Sequence, residues 1–179
     1  CTLRLYQQSG GICGSFHLAI ALTVSQHWSM IPTSRFGDAL VYANRIHAAQ
    51  VRKGADIPYV SHLLGVAALA IEMGADEDQA IAALLHDAVE DQGGQERLED
   101  IRLTFGDRVA RMVADCTDSE VEPKPPWRAR KEAYLESLSK KAADSLLVSL
   151  ADKTHNARAI VDDLIEHGEV VWDRFTGGK

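Results

Sequence analysis

A wholly apolar stretch, Ala80-Ile81-Ala82-Ala83-Leu84-Leu85, runs without a break into His86-Asp87-Ala88-Val89-Glu90-Asp91. Ala80, Ile81, Leu84, Leu85 and Ala88 recur at helical spacing and form a stripe too broad for one contact face. A helix of this kind is expected to be buried on more than one side. Four ionisable side chains at its end are then costly unless partners reach them. On a continuous helix His86 and Glu90 are four apart, as are Asp87 and Asp91, so the pairs project from adjacent stripes toward one region. A metal would stabilise such a cluster. Imidazole nitrogen and carboxylate oxygen without thiolate suit manganese, iron or zinc. His-Asp by itself is a common dipeptide, and a helix-end histidine beside a solvated carboxylate is the competing reading.

The surrounding chain reads as further helices. Thr33 or Ser34 can cap a first helix bearing Phe36, Leu40, Ala43 and Ile46, expected to end near Gly54. Ala55 to Tyr59 holds Pro58 and reads as a loop, followed by a helix marked by Leu63, Val66, Ala67, Ala70 and Met73 and closed by Gly74. Asp76 can cap the apolar helix, with Gly93-Gly94 ending it. Short helices follow over Leu98 to Phe105 and Asp107 to Cys116, and Pro123, Pro125 and Pro126 place an exposed loop over Asp118 to Pro126. Arg128 to Leu138 reads as a polar-faced helix. The last, Ala142 to His167, offers Leu146, Leu147, Leu150, Ile160, Val161, Leu164 and Ile165 as its core face. With no repeat and no convincing strand, the expected fold is an all-α helical bundle.

Composition narrows the function. A formal net charge of −7 disfavours a nucleic-acid backbone as partner, so an anionic ligand has to meet a local basic cluster. Three cysteines, Cys1, Cys13 and Cys116, match no zinc or disulfide framework and point to a cytoplasmic setting. The apolar run Phe16 to Val24 is too short to span a bilayer, so no membrane is expected. Residues 1–29 carry no amphipathic period and read as an N-terminal extension, a leader or an expression-derived addition. Residues 30–179 then form the working domain.

Two further stretches combine with His-Asp into a specific pattern. Pro58-Tyr59-Val60-Ser61-His62 places a histidine at the start of the second helix, and Leu150-Ala151-Asp152-Lys153-Thr154-His155-Asn156-Ala157-Arg158 places an aspartate in the last one. Together with Arg52-Lys53-Gly54 and Ala83 to Asp91, these resemble the HD superfamily of metal-dependent phosphohydrolases, over roughly Phe36 to Asp163. Within it they are similar to the hydrolase domains of RelA/SpoT enzymes and the small alarmone hydrolases. The resemblance implies an HD-domain helical bundle in which His62, His86, Asp87 and Asp152 hold one divalent metal, usually Mn2+. It implies Glu90 and Asp91 as the catalytic pair and Arg52, Lys53, Asn156 and Arg158 as substrate-binding residues. The expected substrate is a guanine nucleotide, ppGpp or pppGpp, losing its 3′-pyrophosphate, with self-association left open. Arg158 has an alternative partner in Asp162.

Other readings stand beside this one. At Ala159 these hydrolases often carry a hydroxyl residue, and they usually continue past Thr176-Gly177-Gly178-Lys179 into another helix, so the domain is expected to be truncated at its C-terminus or relaxed in its pocket. Another nucleotide as substrate, or a non-catalytic metal- or nucleotide-binding module, are the competing functions. His47 is expected to be packed on the first helix. His155 is expected to be a core histidine in preference to a group supporting the site.

Overall fold

A computed structural model describes residues 32–117 and 126–175. The helices are α1 (Ser34–Ile46), α2 (Val60–Glu72), α3 (Glu77–Leu85), α4 (Ala88–Asp91), α5 (Gly94–Phe105), α6 (Asp107–Cys116), α7 (Trp127–Leu138) and α8 (Ala143–His167), followed by a 3-10 helix over Gly168–Arg174. Among the described residues the architecture is all-α, with one isolated antiparallel bridge between Val51 and Pro58. Residues 1–29, most of the proline-bearing loop, and Thr176 to Lys179 lie outside the described residues, as do Cys1 and Cys13.

The bundle is built around α3. It starts at a capping box, in which the Asp76 side chain accepts from Gln79 N–H at 3.0 Å and Gln79 accepts from Asp76 N–H at 2.9 Å, with Glu77 and Asp78 in the first turn favoured by the helix dipole. Every residue from Ala80 to Leu85 is buried, because α1, α2, α6 and α8 all pack against this helix. Leu84 is fully enclosed. Leu84→Ala is therefore expected to lower unfolding stability by about 2–5 kcal/mol, read from urea denaturation followed by circular dichroism.

Four boundaries or faces differ from the sequence-based expectation. First, α1 stops at Ile46, eight residues before Gly54. The backbone beyond it is satisfied across a loop, with Tyr59 N–H donating to Gln50 O at 2.9 Å and Arg52 N–H to Ile57 O at 2.8 Å. Second, α3 and α4 are separate helices broken at His86-Asp87, and α5 begins at Gly94, directly after Gly93 at φ +129°. Third, Met73 of the α2 stripe is not in the core but 39% exposed.

The fourth difference is the largest. Leu150, Val161 and Ile165 of α8 are exposed, and of the seven residues expected on its core face Leu147 packs against the main cluster. The buried face of α8 is instead Ser145, Val148, Ser149, Ala151 and Asp152. Small side chains let this helix approach α2, α3 and α6 closely, and that close approach carries Asp152 into the centre of the bundle.

Candidate metal centre

The break after Leu85 lets the end of the central helix present two adjacent residues to one point. His86 is the C-cap of α3 and Asp87 the N-cap of α4, with φ −96° and ψ −1°. One turn into α2, His62 faces them, and Asp152 of α8 closes the fourth side. The Asp87 Oδ2 atom lies 2.9 Å from His86 Nε2 and 3.6 Å from His62 Nε2. Asp152 Oδ1 lies 3.3 Å from His62 Nε2 and 3.4 Å from His86 Nε2.

The donor atoms fit a cation. The Nδ1 of His86 is 2.9 Å from the carbonyl of Ala83, which uses its one neutral-state N–H and turns a bare Nε2 toward two carboxylate oxygens. That Nε2 is buried and has no hydrogen-bond partner. Lone pairs facing each other at this range need a proton or a metal between them. Two imidazole nitrogens and two carboxylate oxygens make a set suited to a divalent first-row metal.

Neighbouring groups hold the carboxylates in place. The Tyr59 hydroxyl donates to Asp87 Oδ2 at 2.6 Å, Asn156 Nδ2 donates to Asp152 Oδ1 at 2.6 Å, and Lys153 Nζ donates to Asp152 Oδ2 at 2.5 Å. Burial and the charge of Asp87 push the Tyr59 phenol up, so it stays a donor. Burial works against the charged forms of His86, Asp87 and Asp152, yet their mutual attraction wins: both carboxyls fall well below the usual range and His86 is raised well above it. A proton on His86 and a metal ion compete for the cluster. The proton's stabilising effect at His86 is present below the ordinary imidazole pKa and is lost as pH rises through the raised value, while metal has to displace it. Mn2+ affinity is expected to strengthen from about pH 6 to pH 8, measured by titration of the ion at fixed ionic strength.

Beside this cluster opens a cavity of about 400 Å³. Asp87 and Asp152 reach it, together with Glu90, Asp91, Lys53 and Asn156. Asp91 stands in the cavity mouth among other groups. Loss of solvent around it and then the charges of Asp87 and Glu90 raise its carboxyl, against a 2.7 Å bond from Gln50 Nε2. Arg52 meets the edge of the same network, its Nη1 donating to Asn156 Oδ1 at 3.2 Å. Arg158 does not line this cavity: with Asp162 it lines a hollow along α8 that shares Lys153 with it.

Several cavity residues were not among the sequence candidates. Arg130, Lys131 and Tyr134 of α7 line it with Lys53 and Lys153, which supplies the local basic cluster that an acidic protein needs for an anionic ligand. Tyr59 enters through the loop that replaces the end of the longer first helix, and Gln50 on the same loop donates to Asp91. The sequence signal for Arg130-Lys131 was a basic pair, indistinguishable there from a solvated helix face. His47 is packed as expected, buried at the end of α1 and stacked on Tyr59. His155 is not a core histidine: it is half-buried, with its Nδ1 3.0 Å from Nδ1 of His62.

Comparison with known proteins gives the family. Residues 39–175 match the family described as HD domain. The chain is 36% identical over 130 residues to guanosine-3′,5′-bis(diphosphate) 3′-pyrophosphohydrolase MESH1 of Drosophila melanogaster, covering 71% of this chain and 70% of that protein. Against the bifunctional (p)ppGpp synthase/hydrolase SpoT of Escherichia coli it is 33% identical over 132 residues, covering 70% of this chain and 18% of that protein. A solved structure described as a metazoan ortholog of SpoT that hydrolyses ppGpp superposes with a TM-score of 0.66 at 30% identity, covering 83% of this chain and 89% of the other.

Proposed function

The chain belongs to the HD-domain family and is a metal-dependent phosphohydrolase, and on that premise we propose that it removes the 3′-pyrophosphate from guanosine-3′,5′-bis(diphosphate). The observation that carries this reading is the cluster of buried His62, His86 and Asp152 with half-buried Asp87, opening onto a cavity that holds both a carboxylate pair and four cationic side chains. In it His62, His86, Asp87 and Asp152 hold the metal, of which Mn2+ is the proposed identity. A divalent ion there supplies Lewis acidity, polarising a phosphoryl oxygen and lowering the pKa of water. Glu90 and Asp91 orient the attacking water and take its proton, a task for which the raised carboxyl of Asp91 is suited. Attack on the phosphorus next to the 3′ oxygen breaks that P–O bond and yields GDP, or GTP from the pentaphosphate, and pyrophosphate. Lys53, Arg130, Lys131 and Lys153 offset the phosphate charges, and Arg52 with Asn156 fixes their placement.

Among the described residues no helix is long and apolar enough to cross a membrane, and a cytoplasmic guanine nucleotide is the proposed partner. The test is release of pyrophosphate from guanosine tetraphosphate with Mn2+ added, alongside other nucleotides at equal concentration. Preference for a different nucleotide would favour the second reading, to which Ala159 lends weight by lacking the hydroxyl often found at that position. Arg52→Ala is expected to raise KM by about tenfold, in line with loss of a charged hydrogen bond, while stoichiometric metal stays bound. Kinetics and metal analysis on one preparation check both halves.

A further inference from the structure

One imidazole close to the cluster has no assigned task. His155 leans from α8 onto α2, and its ring sits over Gly65, three residues after His62. A Cβ at position 65 would lie inside van der Waals contact of His155 Nε2 and Cδ2, so the ring occupies space that glycine alone leaves open in that helix. From this notch it meets His62 edge-on, with ring centroids 4.8 Å apart and the planes at 61°. The two Nδ1 atoms face each other at 3.0 Å.

Two ring nitrogens at that distance share one hydrogen. With His62 Nε2 turned toward Asp87 and Asp152, the tautomer that leaves Nε2 free for a cation puts the proton on Nδ1, and His155 Nδ1 accepts it. Metal-binding histidines usually hand their second N–H to a carboxylate, a carbonyl or water, and that partner fixes ring orientation and tautomer. We propose that His155, seated in the Gly65 notch, is the positioning residue that holds His62 in its metal-binding tautomer. The inference rests on the metal reading of the cluster. It gives α2 and α8 a direct link at the site in addition to Asp152.

The experiment is titration of the intact chain with Mn2+, following free ion by electron paramagnetic resonance, for the parent, His155→Leu, His155→Gln and Gly65→Ala. Loss of a supporting partner of a metal-binding histidine typically weakens metal binding about 10–100-fold, and His155→Leu is expected to fall in that range while its thermal midpoint changes little. Glutamine can still accept the Nδ1–H and should restore most of the affinity. Gly65→Ala adds the better helix former, so folding is not weakened through propensity, yet it pushes the His155 ring away and should also weaken Mn2+ binding. Excess Mn2+ should return the turnover of His155→Leu toward the parental rate. Equal Mn2+ affinity in His155→Leu and the parent would overturn the proposal, as would equal losses in the leucine and glutamine variants. A parent that binds no Mn2+ would overturn the metal reading itself and this inference with it.

Discussion

Asp87→Ala is expected to abolish bound metal and bring phosphohydrolase turnover to background while far-UV circular dichroism keeps its helical shape. Asp87 brings an oxygen within 3.6 Å of both ring nitrogens and sits at the junction of two helices, with no part in the apolar contacts of α3. Its removal takes away one of the four proposed protein ligands and one of the two negative charges that offset a divalent ion, at a site whose remaining carboxylate oxygen lies over 3 Å from both rings. The loss should exceed the roughly 10–100-fold that follows from removing a mere supporting partner. His86→Ala should have the same effect on metal but a larger one on stability, since that ring is buried at the end of the core helix. Metal analysis after desalting decides the matter, and stoichiometric metal in Asp87→Ala would remove Asp87 from the cluster's function.

What the sequence made legible follows from how strongly each residue's environment is forced. The run from Ala80 to Leu85 has no polar side to turn outward, so its burial and central place were readable at once. His62, His86, Asp87 and Asp152 were legible through the resemblance of three separate stretches to the HD superfamily pattern, since each stretch alone is ordinary, and the structure brings the four together. The face of α8 was not readable by the same logic. Counting large apolar residues selects Leu150, Val161 and Ile165, but close packing against three helices selects Ser145, Ser149 and Ala151, whose small size has no periodic signature of its own.

The remaining misses are also local in origin. A helix that ends at Ile46 has no glycine or proline to announce it, and the loop beyond it is set by backbone bonds between Gln50, Arg52, Ile57 and Tyr59 that depend on pairing across the loop. Those bonds are what bring Gln50 to Asp91 and Tyr59 to Asp87. Arg158 stands two residues beyond Asn156, about 200° round α8, and lines a neighbouring hollow with Asp162. His155 looked like an ordinary core histidine until the vacancy over Gly65 gave it a route to His62.

Glu90→Gln combined with Asp91→Asn is expected to retain metal and nucleotide yet lose about 10²–10⁴-fold in kcat, the usual cost of a positioned base. These side chains belong to α4, the single turn that begins right after Asp87, and both border the cavity that Asp87 and Asp152 enter. They therefore border the space proposed for the substrate phosphates without joining the set of atoms that surrounds His62 and His86 Nε2. Amides preserve size and the bond from Gln50 while removing the proton acceptor, so a change in kcat with little change in KM or metal content isolates the chemistry. The raised carboxyl of Asp91 gives the rate its pH dependence: the base is competent only above its own pKa, so the acid limb of kcat in the parent should lie above the ordinary aspartate range and shift in Asp91→Asn alone. Parental turnover by the double variant would reduce the pair to a solvated helix end and withdraw the proton-transfer role from this wall of the cavity.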